Sequence, residues 1–206
     1  MATTEVPDIV IGRLPIYLRA LSLLHQEGYE FTSSQELGQR LGIGSAQIRK
    51  DLSFFGEFGK QGTGYEIKYL QDQISKILHV DRDWPVVLVG LGDLGQAIAN
   101  YAGFASKRFH IEAIFDSDLV KVGQSVKGTI VQDIKNLSDV VSNQKIQIAI
   151  IATPAVVAQE VADKLVECGI RAILNYAPIT LTVPEDVHVQ YIDPVMHLQR
   201  MTYYLI

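Results

Sequence analysis

Cysteine is almost absent from this chain of 206 residues, in which Cys168 is the single example. One cysteine cannot form a disulfide within the chain, so an internal dithiol switch and a disulfide-stapled fold are both excluded. Long hydrophobic runs are missing as well, since no stretch approaches the ~20 apolar residues that a membrane-spanning helix needs. The segment from Met1 to Val10 also lacks the basic and apolar regions of a secretory signal. We therefore expect a cytoplasmic protein that does not contact a membrane.

Positive side chains are outnumbered by negative ones, which gives a formal net charge of -5. A negatively charged chain repels phosphate on average, which argues against nucleic acid as a partner. The average hides a local excess between residues 40 and 60, where Arg40, Arg49, Lys50 and Lys60 outnumber the acidic side chains. Such an asymmetry indicates a nucleic-acid surface that is confined to one segment.

The length and the apolar fraction fit two packed domains. Single domains usually contain about 100–150 residues, and 48% of these side chains are hydrophobic, which is enough for more than one core. A polar segment that ends at Pro85 separates two different hydrophobic patterns. We predict a DNA-binding domain over residues 1–80, a cofactor-binding domain over 81–191 and a C-terminal helix over 192–206.

The first domain has the pattern of a helix-turn-helix. Apolar residues recur at helical spacing between residues 8 and 26, with a kink or restart expected at Pro15. Serine followed by Glu36 predicts a second helix that ends near Gly42. Ser45 is predicted to cap a third helix over residues 46–55. Two short helices joined by a glycine turn are typical of the motif whose second helix enters the major groove of DNA.

The predicted third helix carries polar side chains beside its apolar stripe. Glutamine can pair with adenine and arginine with guanine or phosphate, although such a helix face can also be merely solvated. The glycine-rich segment that follows has the position of a wing, where glycine lets the backbone approach a narrow groove. The predicted DNA-contacting residues are Ser45, Gln47, Arg49, Lys50, Ser53, Lys60, Gln61, Gly62 and Gly64.

The second domain opens with a continuous apolar strand over residues 86–89, followed by G-x-G-x-x-G from Gly90 to Gly95 and then a helix. With Asp116 at the end of the next strand, this is the full dinucleotide-binding fingerprint. Asp116, or alternatively Asp118, would accept hydrogen bonds from ribose and repel a 2'-phosphate, which favours NAD(H) over NADP(H). The continuing alternation of strands and helices predicts an α/β Rossmann domain with a doubly wound, mainly parallel sheet.

Loops after later strands complete the predicted crevice, and a hairpin-like stretch up to Tyr191 leads to a terminal helix from Asp193. Asp93 places a negative charge in the loop that should hold the pyrophosphate, so we expect its side chain to point to solvent. The predicted cofactor-binding residues are Gly90, Leu91, Gly92, Asp93, Leu94, Gly95, Asp116, Ser117, Asp118, Lys121, Ala152, Thr153, Pro154, Asn175, Tyr176, Ala177 and Pro178.

Enzymatic activity is disfavoured. A small NAD-dependent dehydrogenase is the main alternative, but hydride transfer usually needs an acid or base beside the nicotinamide, and the domain has no Tyr-x-x-x-Lys pair. We predict no catalytic residue and no metal site. A DNA-binding protein that senses another nucleotide is the second alternative.

With the segment Arg49 to Ser53, the wing from Gly56 to Tyr65, the glycine fingerprint and the segment Leu174 to Pro178, the chain resembles the Rex family of redox-sensing transcriptional repressors. The resemblance implies a homodimer whose C-terminal helices swap between subunits. It also implies a palindromic operator that is released when NADH replaces NAD+.

The same resemblance implies a switch. Matching motifs assign Arg19, Tyr101 and Asp193 to alternative contacts in the DNA-bound and NADH-bound states. Gln61 and Asp93 depart from the residues common at these positions in the family, as does Pro194, which replaces a larger side chain found in some relatives.

The charge of the nicotinamide ring is the signal that we hypothesise. NAD+ carries a positive ring and NADH a neutral one, so a pocket lined by Ala152, Ala177, Pro178 and Tyr101 should favour the neutral ring. Burial of the neutral ring would close the dimer and misplace the two DNA-reading helices, which are the predicted third helices of the two subunits. Their separation must match half-sites about 34–36 Å apart.

Overall fold

The computed structural model describes residues 6–60 and 62–205, and the chain divides into two compact units between Arg82 and Asp83. One hydrophobic core lies in the first unit, and the second unit has a core on each face of its sheet. Among the helices in this described part, none combines the length and the apolar character needed to cross a membrane.

The first unit is a helical domain with a small antiparallel sheet. Its strands pair in the order β1-β3-β2, which makes β2 and β3 a hairpin. The helices close around buried leucine and isoleucine side chains. The elements are α1 (Asp8–Ile11), α2 (Leu14–Gln26), β1 (Phe31–Thr32), α3 (Ser34–Leu41), α4 (Ser45–Ser53), β2 (Gly59–Lys60), β3 (Gly64–Glu66) and α5 (Ile67–Ile77).

Local signals set most of these boundaries. Pro15 lies in the first turn of α2, which confirms the predicted restart, because proline lacks only an N–H that is unpaired there anyway. Ser33 caps α3 by accepting a hydrogen bond from the N–H of Glu36 at 3.1 Å. Gly42 ends that helix in the left-handed conformation, with φ +67°.

The prediction that Ser45 caps the third helix is wrong. Gly44 is the capping residue, and its carbonyl oxygen accepts from the N–H groups of Gln47 and Ile48 at 2.9 and 3.2 Å. Ser45 is instead the first helical residue. The helix also ends at Ser53, earlier than the predicted residue 55, because the last N–H bonds tighten to three-residue spacing.

The second unit is a seven-stranded sheet in the order β10-β9-β8-β4-β5-β7-β6. All pairs are parallel except β6–β7. Chain order reverses between β4 and β8, as in a doubly wound Rossmann sheet. The elements are β4 (Trp84–Val89), α6 (Asp93–Ala99), β5 (Phe109–Asp116), β6 (Ser125–Val126), β7 (Thr129–Asp133), α7 (Leu137–Gln144), β8 (Ile148–Ile151), α8 (Ala155–Glu167), β9 (Ala172–Asn175), β10 (His188–Tyr191) and α9 (Pro194–Thr202).

The stretch before α9 is not the hairpin that we predicted. β10 runs parallel to β9, so the chain crosses back between them through residues 176–187. Leu181 and Val187 in this connection are buried in the core, which holds it against the unit. Asp193 then caps α9 by accepting from the N–H of Val195 at 2.9 Å. The apolar residues of α9 remain largely exposed: Val195, Met196, Leu198 and Met201.

A single methyl group should disturb the helix-turn-helix. A Cβ added to Gly38 in α3 would lie 2.5 Å from the backbone oxygen of Ile43, just before α4. We expect Gly38→Ala to lower the free energy of unfolding by about 1–3 kcal/mol, although alanine is the better helix former. Urea unfolding followed by circular dichroism measures this. Gln39→Ala, at the exposed neighbouring residue, is the control and should stay within about 0.5 kcal/mol of wild type. Equal stability of both variants would contradict the tight α3–α4 contact.

Candidate nucleic-acid interface and dinucleotide crevice

A groove of about 750 Å³ lies between α4 and the β2–β3 hairpin. It brings together many of the residues predicted to contact DNA, from both the helix and the wing. Ser45, Gln47 and Lys50 lie on α4 outside the lining of this groove, and Gln61 lies outside the described residues. The predicted residues that line it are Arg49, Ser53, Lys60, Gly62 and Gly64.

Arg49 spans the groove towards α3. Its Nη1 donates a hydrogen bond to the Ser34 hydroxyl at 2.9 Å, while the residue stays exposed. Burial raises the pKa of the Tyr65 phenol in the hairpin, and the nearby Arg49 charge partly opposes that rise. The guanidinium therefore lies between α3 and the hairpin. Sequence reasoning missed Ser34, because its pairing with Arg49 depends on how two helices pack.

A buried carboxylate lies on the inner face of α4. Asp51 is 0% exposed, and its Oδ2 accepts from Arg13 Nε at 2.5 Å and from the Tyr17 hydroxyl at 2.6 Å. Its Oδ1 accepts from Arg13 Nη2 and Gln47 Nε2, both at 2.7 Å. Burial alone would raise the pKa of this carboxyl, but the hydrogen bonds from Arg13, Tyr17 and Gln47 outweigh it and lower the pKa. The charge therefore anchors α4 to the start of α2.

The crevice of the second unit forms where the carboxyl ends of β4 and β8 meet. Val89 and Ile151 are paired in the sheet, so the loops that follow them are neighbours. Gly90 has φ +96°, and a Cβ there would lie 2.6 Å from the Ala152 oxygen. A Cβ on Gly95 would overlap the Gly90 oxygen, whereas Gly92 faces open space. The glycine loop therefore packs tightly at Gly90 and Gly95 and stays open at Gly92, as a pyrophosphate cradle requires.

Asp116 holds this loop rather than standing free. Its Oδ2 accepts from the Leu91 N–H at 2.7 Å and from Lys121 Nζ at 3.3 Å, and its Oδ1 accepts from the Asp118 N–H at 2.8 Å. Burial raises the pKa of the Asp116 carboxyl, but these bonds outweigh burial, so the pKa is lowered. Asp116 is 8% exposed, whereas the side chain of Asp118 is 47% exposed. Asp118 is therefore the more accessible acceptor for a ribose.

One polar atom in the crevice lacks an internal partner. The Thr153 hydroxyl oxygen is buried without a hydrogen bond from any described residue. Buried hydroxyls are normally paired, so an orphan oxygen at a ligand crevice fits a group that the ligand would supply. Thr153 also contacts the glycine loop, since its methyl carbon would lie 2.9 Å from a Cβ on Gly90. The residues present thus fit a bound dinucleotide.

Several other predicted cofactor residues are exposed to solvent. Ser117, Pro154 and Pro178 are exposed, as are Asp93 and Leu94 at the start of α6. The predicted solvent exposure of Asp93 is therefore confirmed.

Asn175 and the loop after it shape a second part of the crevice. The Asn175 amide is buried, donates to the Ala177 and Ile179 oxygens at 3.1 and 3.0 Å, and accepts from the Ala177 N–H at 2.9 Å. Its role is therefore to hold the loop. Burial raises the pKa of the neighbouring Tyr176 phenol. A cavity of about 280 Å³ beside this loop is lined by Asn175, Ala177, Pro178, Ile179, Thr180, Tyr191, Ile192, Asp193 and Met196.

Tyr101 and Asp193, two of the three predicted switch residues, line different cavities of the second unit. Asp193 lines the cavity beside Asn175, whereas Tyr101 lines another of about 270 Å³ and packs edge-to-face on Phe104. The expectation that Tyr101 shares a pocket with Ala177 and Pro178 is therefore not met within one chain. Arg19 is exposed in the first unit, beside an apolar groove of α2 and α3.

Two family models match the chain. One, described as "Putative DNA-binding protein N-terminus", covers residues 5–53, and the other, described as "CoA binding domain", covers residues 81–179. The redox-sensing transcriptional repressor Rex of Chloroflexus aggregans is 58% identical over 98% of this chain and 95% of its own length.

Solved structures agree. The crystal structure of RSP in complex with beta-NAD+ and operator DNA matches with a TM-score of 0.93 and 39% identity, over 98% of this chain and 93% of that one. RSP in complex with beta-NADH matches with a TM-score of 0.89 and 37% identity, over 98% and 95%. The chain therefore belongs to the Rex family of redox-sensing transcriptional repressors.

Proposed function

We propose that this chain acts as a cytoplasmic homodimer that binds a palindromic operator and releases it when NADH replaces NAD+. One observation carries the proposal: a single chain combines a winged helix-turn-helix groove holding Arg49 and Lys60 with a glycine-loop crevice that holds the unpaired Thr153 hydroxyl. Its relatives are repressors rather than enzymes, which supports the expectation that it is not a dehydrogenase. RSP, which shares its fold, is found with operator DNA and beta-NAD+ and also with beta-NADH.

The duplex would lie against the groove between α4 and the hairpin. Arg49 and Lys60 supply positive charge from the two sides, and Gly62 and Gly64 let the hairpin backbone approach a narrow groove. Ser45, Gln47 and Lys50 extend the surface along α4. Binding to a palindrome requires two such helices about one DNA turn, roughly 34–36 Å, apart.

A second copy of the chain would cover α9. Met196, Leu198 and Met201 on this helix are each 60–64% exposed. Exposed apolar residues on one short helix indicate a protein contact rather than solvent. We therefore propose that α9, which lies within the predicted C-terminal segment 192–206, swaps onto the partner subunit.

NAD(H) would lie over the glycine loop. The open space at Gly92 suits the pyrophosphate, Asp118 suits the ribose hydroxyls, and Thr153 offers a hydroxyl without an internal partner. When bound, the cofactor supplies a nicotinamide ring that is positive when oxidised and neutral when reduced.

The ring would enter the cavity beside Asn175. Ala177, Ile179 and Met196 give this cavity apolar walls, and removing a charged ring from water into it costs more than removing a neutral one. Asp193 is the acidic group in the lining, and its Oδ1 already accepts the Val195 N–H. In this proposal the cost of removing the positive ring from water outweighs its attraction to Asp193, so the cavity favours NADH over NAD+.

NADH should weaken operator binding. With a palindromic operator in a mobility-shift assay, we expect saturating NADH to raise the Kd by about 5- to 150-fold, the range that ordinary allosteric coupling spans. Saturating NAD+ should leave the Kd near that of the free protein, because its ring is not buried. NADPH and coenzyme A serve as nucleotide controls. Equal weakening by NADH and NAD+ would refute the ring-charge mechanism.

Arg49 should contribute directly to DNA binding. We expect Arg49→Ala to raise the operator Kd about tenfold or more, because a positive contact across the groove is lost. Lys164→Ala, which removes one exposed positive charge from the second unit, is the matched control and should leave the Kd within about twofold. Circular dichroism checks that both variants fold. Similar Kd values for the two variants would show that Arg49 on α4 does not contact the operator.

Thr153→Val tests the crevice without removing a structural bond. Because the hydroxyl has no partner in the described structure, the variant should unfold at the same temperature as wild type or slightly higher. The loss of one ligand hydrogen bond should weaken NADH binding by about 3- to 10-fold in calorimetric titration. Val157→Thr on α8, a nearby substitution that makes the reverse change between valine and threonine, is the control. Unchanged NADH affinity in Thr153→Val would place the dinucleotide elsewhere.

A further inference from the structure

The side chain of Gln47 is held from behind. Its Nε2 donates to Oδ1 of the buried Asp51 at 2.7 Å, one helical turn further along α4. Gln47 itself remains exposed, so the anchored amide borders solvent on its outer side. A glutamine on a helix surface usually rotates freely, whereas this one has a fixed partner.

The chemistry of the partner decides which way round the amide lies. Asp51 carries negative charge that is stabilised by Arg13 and Tyr17, and a carboxylate can only accept hydrogen bonds. The amide nitrogen must therefore face Asp51, because the amide oxygen would meet another acceptor. In the arrangement that we infer, the N–H anti to the C=O is the one that donates to Asp51. The C=O and the second N–H remain together on the other edge.

That remaining edge is complementary to one base. Adenine presents a donor at N6 beside an acceptor at N7 in the major groove, which matches an outward C=O and N–H. Guanine presents acceptors at O6 and N7, so the outward amide oxygen would be repelled. Thymine offers an acceptor and a methyl group, and cytosine offers a single donor. A fixed amide thus discriminates among bases that a rotating amide could accommodate.

We propose that Asp51 is a positioning residue for DNA reading, which fixes the Gln47 amide so that it selects adenine at one position of each operator half-site. The proposal rests on the proposed operator binding. It adds to Asp51 a role beyond anchoring α4, since the same carboxylate that receives Arg13 and Tyr17 also sets the direction in which Gln47 reads.

The test is a base-preference profile. A pool of palindromes carrying all four bases at each half-site position is selected by binding to the purified full chain, and bound sequences are counted. Wild type should prefer adenine over guanine by about tenfold at one position. Gln47→Met, of similar shape but without the amide, should lose the preference at that position alone. If the Gln47→Met profile equals that of wild type, Gln47 does not read DNA and the proposal is overturned.

The role of Asp51 needs variants that leave no buried charge unpaired. Replacing the network with apolar residues, in Arg13→Met/Tyr17→Phe/Asp51→Leu, removes the anchor but keeps Gln47. This variant should lose at least half of the adenine preference at the Gln47 position and keep the others. Tyr17→Phe alone disturbs the same network but leaves the Gln47–Asp51 bond, so its profile should match wild type. A flattened profile in Tyr17→Phe, or an intact one in the triple variant, would overturn the proposal.

A measurement on the wild-type protein covers the case in which the triple variant does not fold. By NMR, one side-chain amide hydrogen of Gln47 should be protected from exchange with water and the other should not. Equal, fast exchange of both hydrogens would show a free amide and overturn the proposal. If wild type selects no palindrome from the pool, the proposed operator binding itself fails, which is a result distinct from all of these.

Discussion

Both sites depend on one backbone segment lying closer to another than a side chain would permit. At the helix-turn-helix, Gly38 brings α3 against the oxygen of Ile43, and this contact sets the direction in which α4 leaves the turn. At the crevice, Gly95 brings the start of α6 against the oxygen of Gly90. Without these approaches α4 would not pack closely against α3, and α6 would not begin where the carboxyl ends of β4 and β8 meet. These close backbone contacts determine where the polar side chains and backbone groups of each site lie.

The polar groups of the two sites fall into two classes, according to whether other groups of the protein already form hydrogen bonds with them. Asp51 and Asp116 accept hydrogen bonds on both oxygens from their own chain, so they are structural acceptors that shape the sites. Thr153 has no such partner among the described residues, and Asp118, whose Oδ1 accepts the Val120 N–H, is about half exposed to solvent through its side chain. A ligand gains most from groups whose hydrogen bonds are not already made, since a satisfied group must lose one bond to form another. In the proposed complex, the unpaired Thr153 hydroxyl would therefore gain more from a ligand than the satisfied carboxylate of Asp116.

Sequence alone predicts what local pattern controls. The restart at Pro15, the cap at the start of α3, the glycine loop and the doubly wound sheet all follow from residues close together in the chain. Pairings between distant residues have no such signal: Arg13 and Asp51 are 38 positions apart, and neither composition nor spacing connects them. Gln47 illustrates the difference, because its position on α4 was predictable but its attachment to Asp51 was not. The parallel return of β10 was missed for the same reason, since it depends on Leu181 and Val187 finding the core.

The separation of the switch residues determines how the signal can travel. Within one chain Tyr101 and Asp193 line different cavities, and α9 exposes its apolar side chains. A ligand can shift an equilibrium only by its difference in affinity for the two states, so the ring must contact something that differs between them. Asp193 lies both on the Asn175 cavity and at the first turn of α9, through its bond to the Val195 N–H. A ring entering that cavity therefore meets the start of the one helix that a second subunit would cover. In the mechanism that we propose, the coupling between cofactor and operator therefore depends on the dimer, and an isolated chain would bind the ring without passing the signal on.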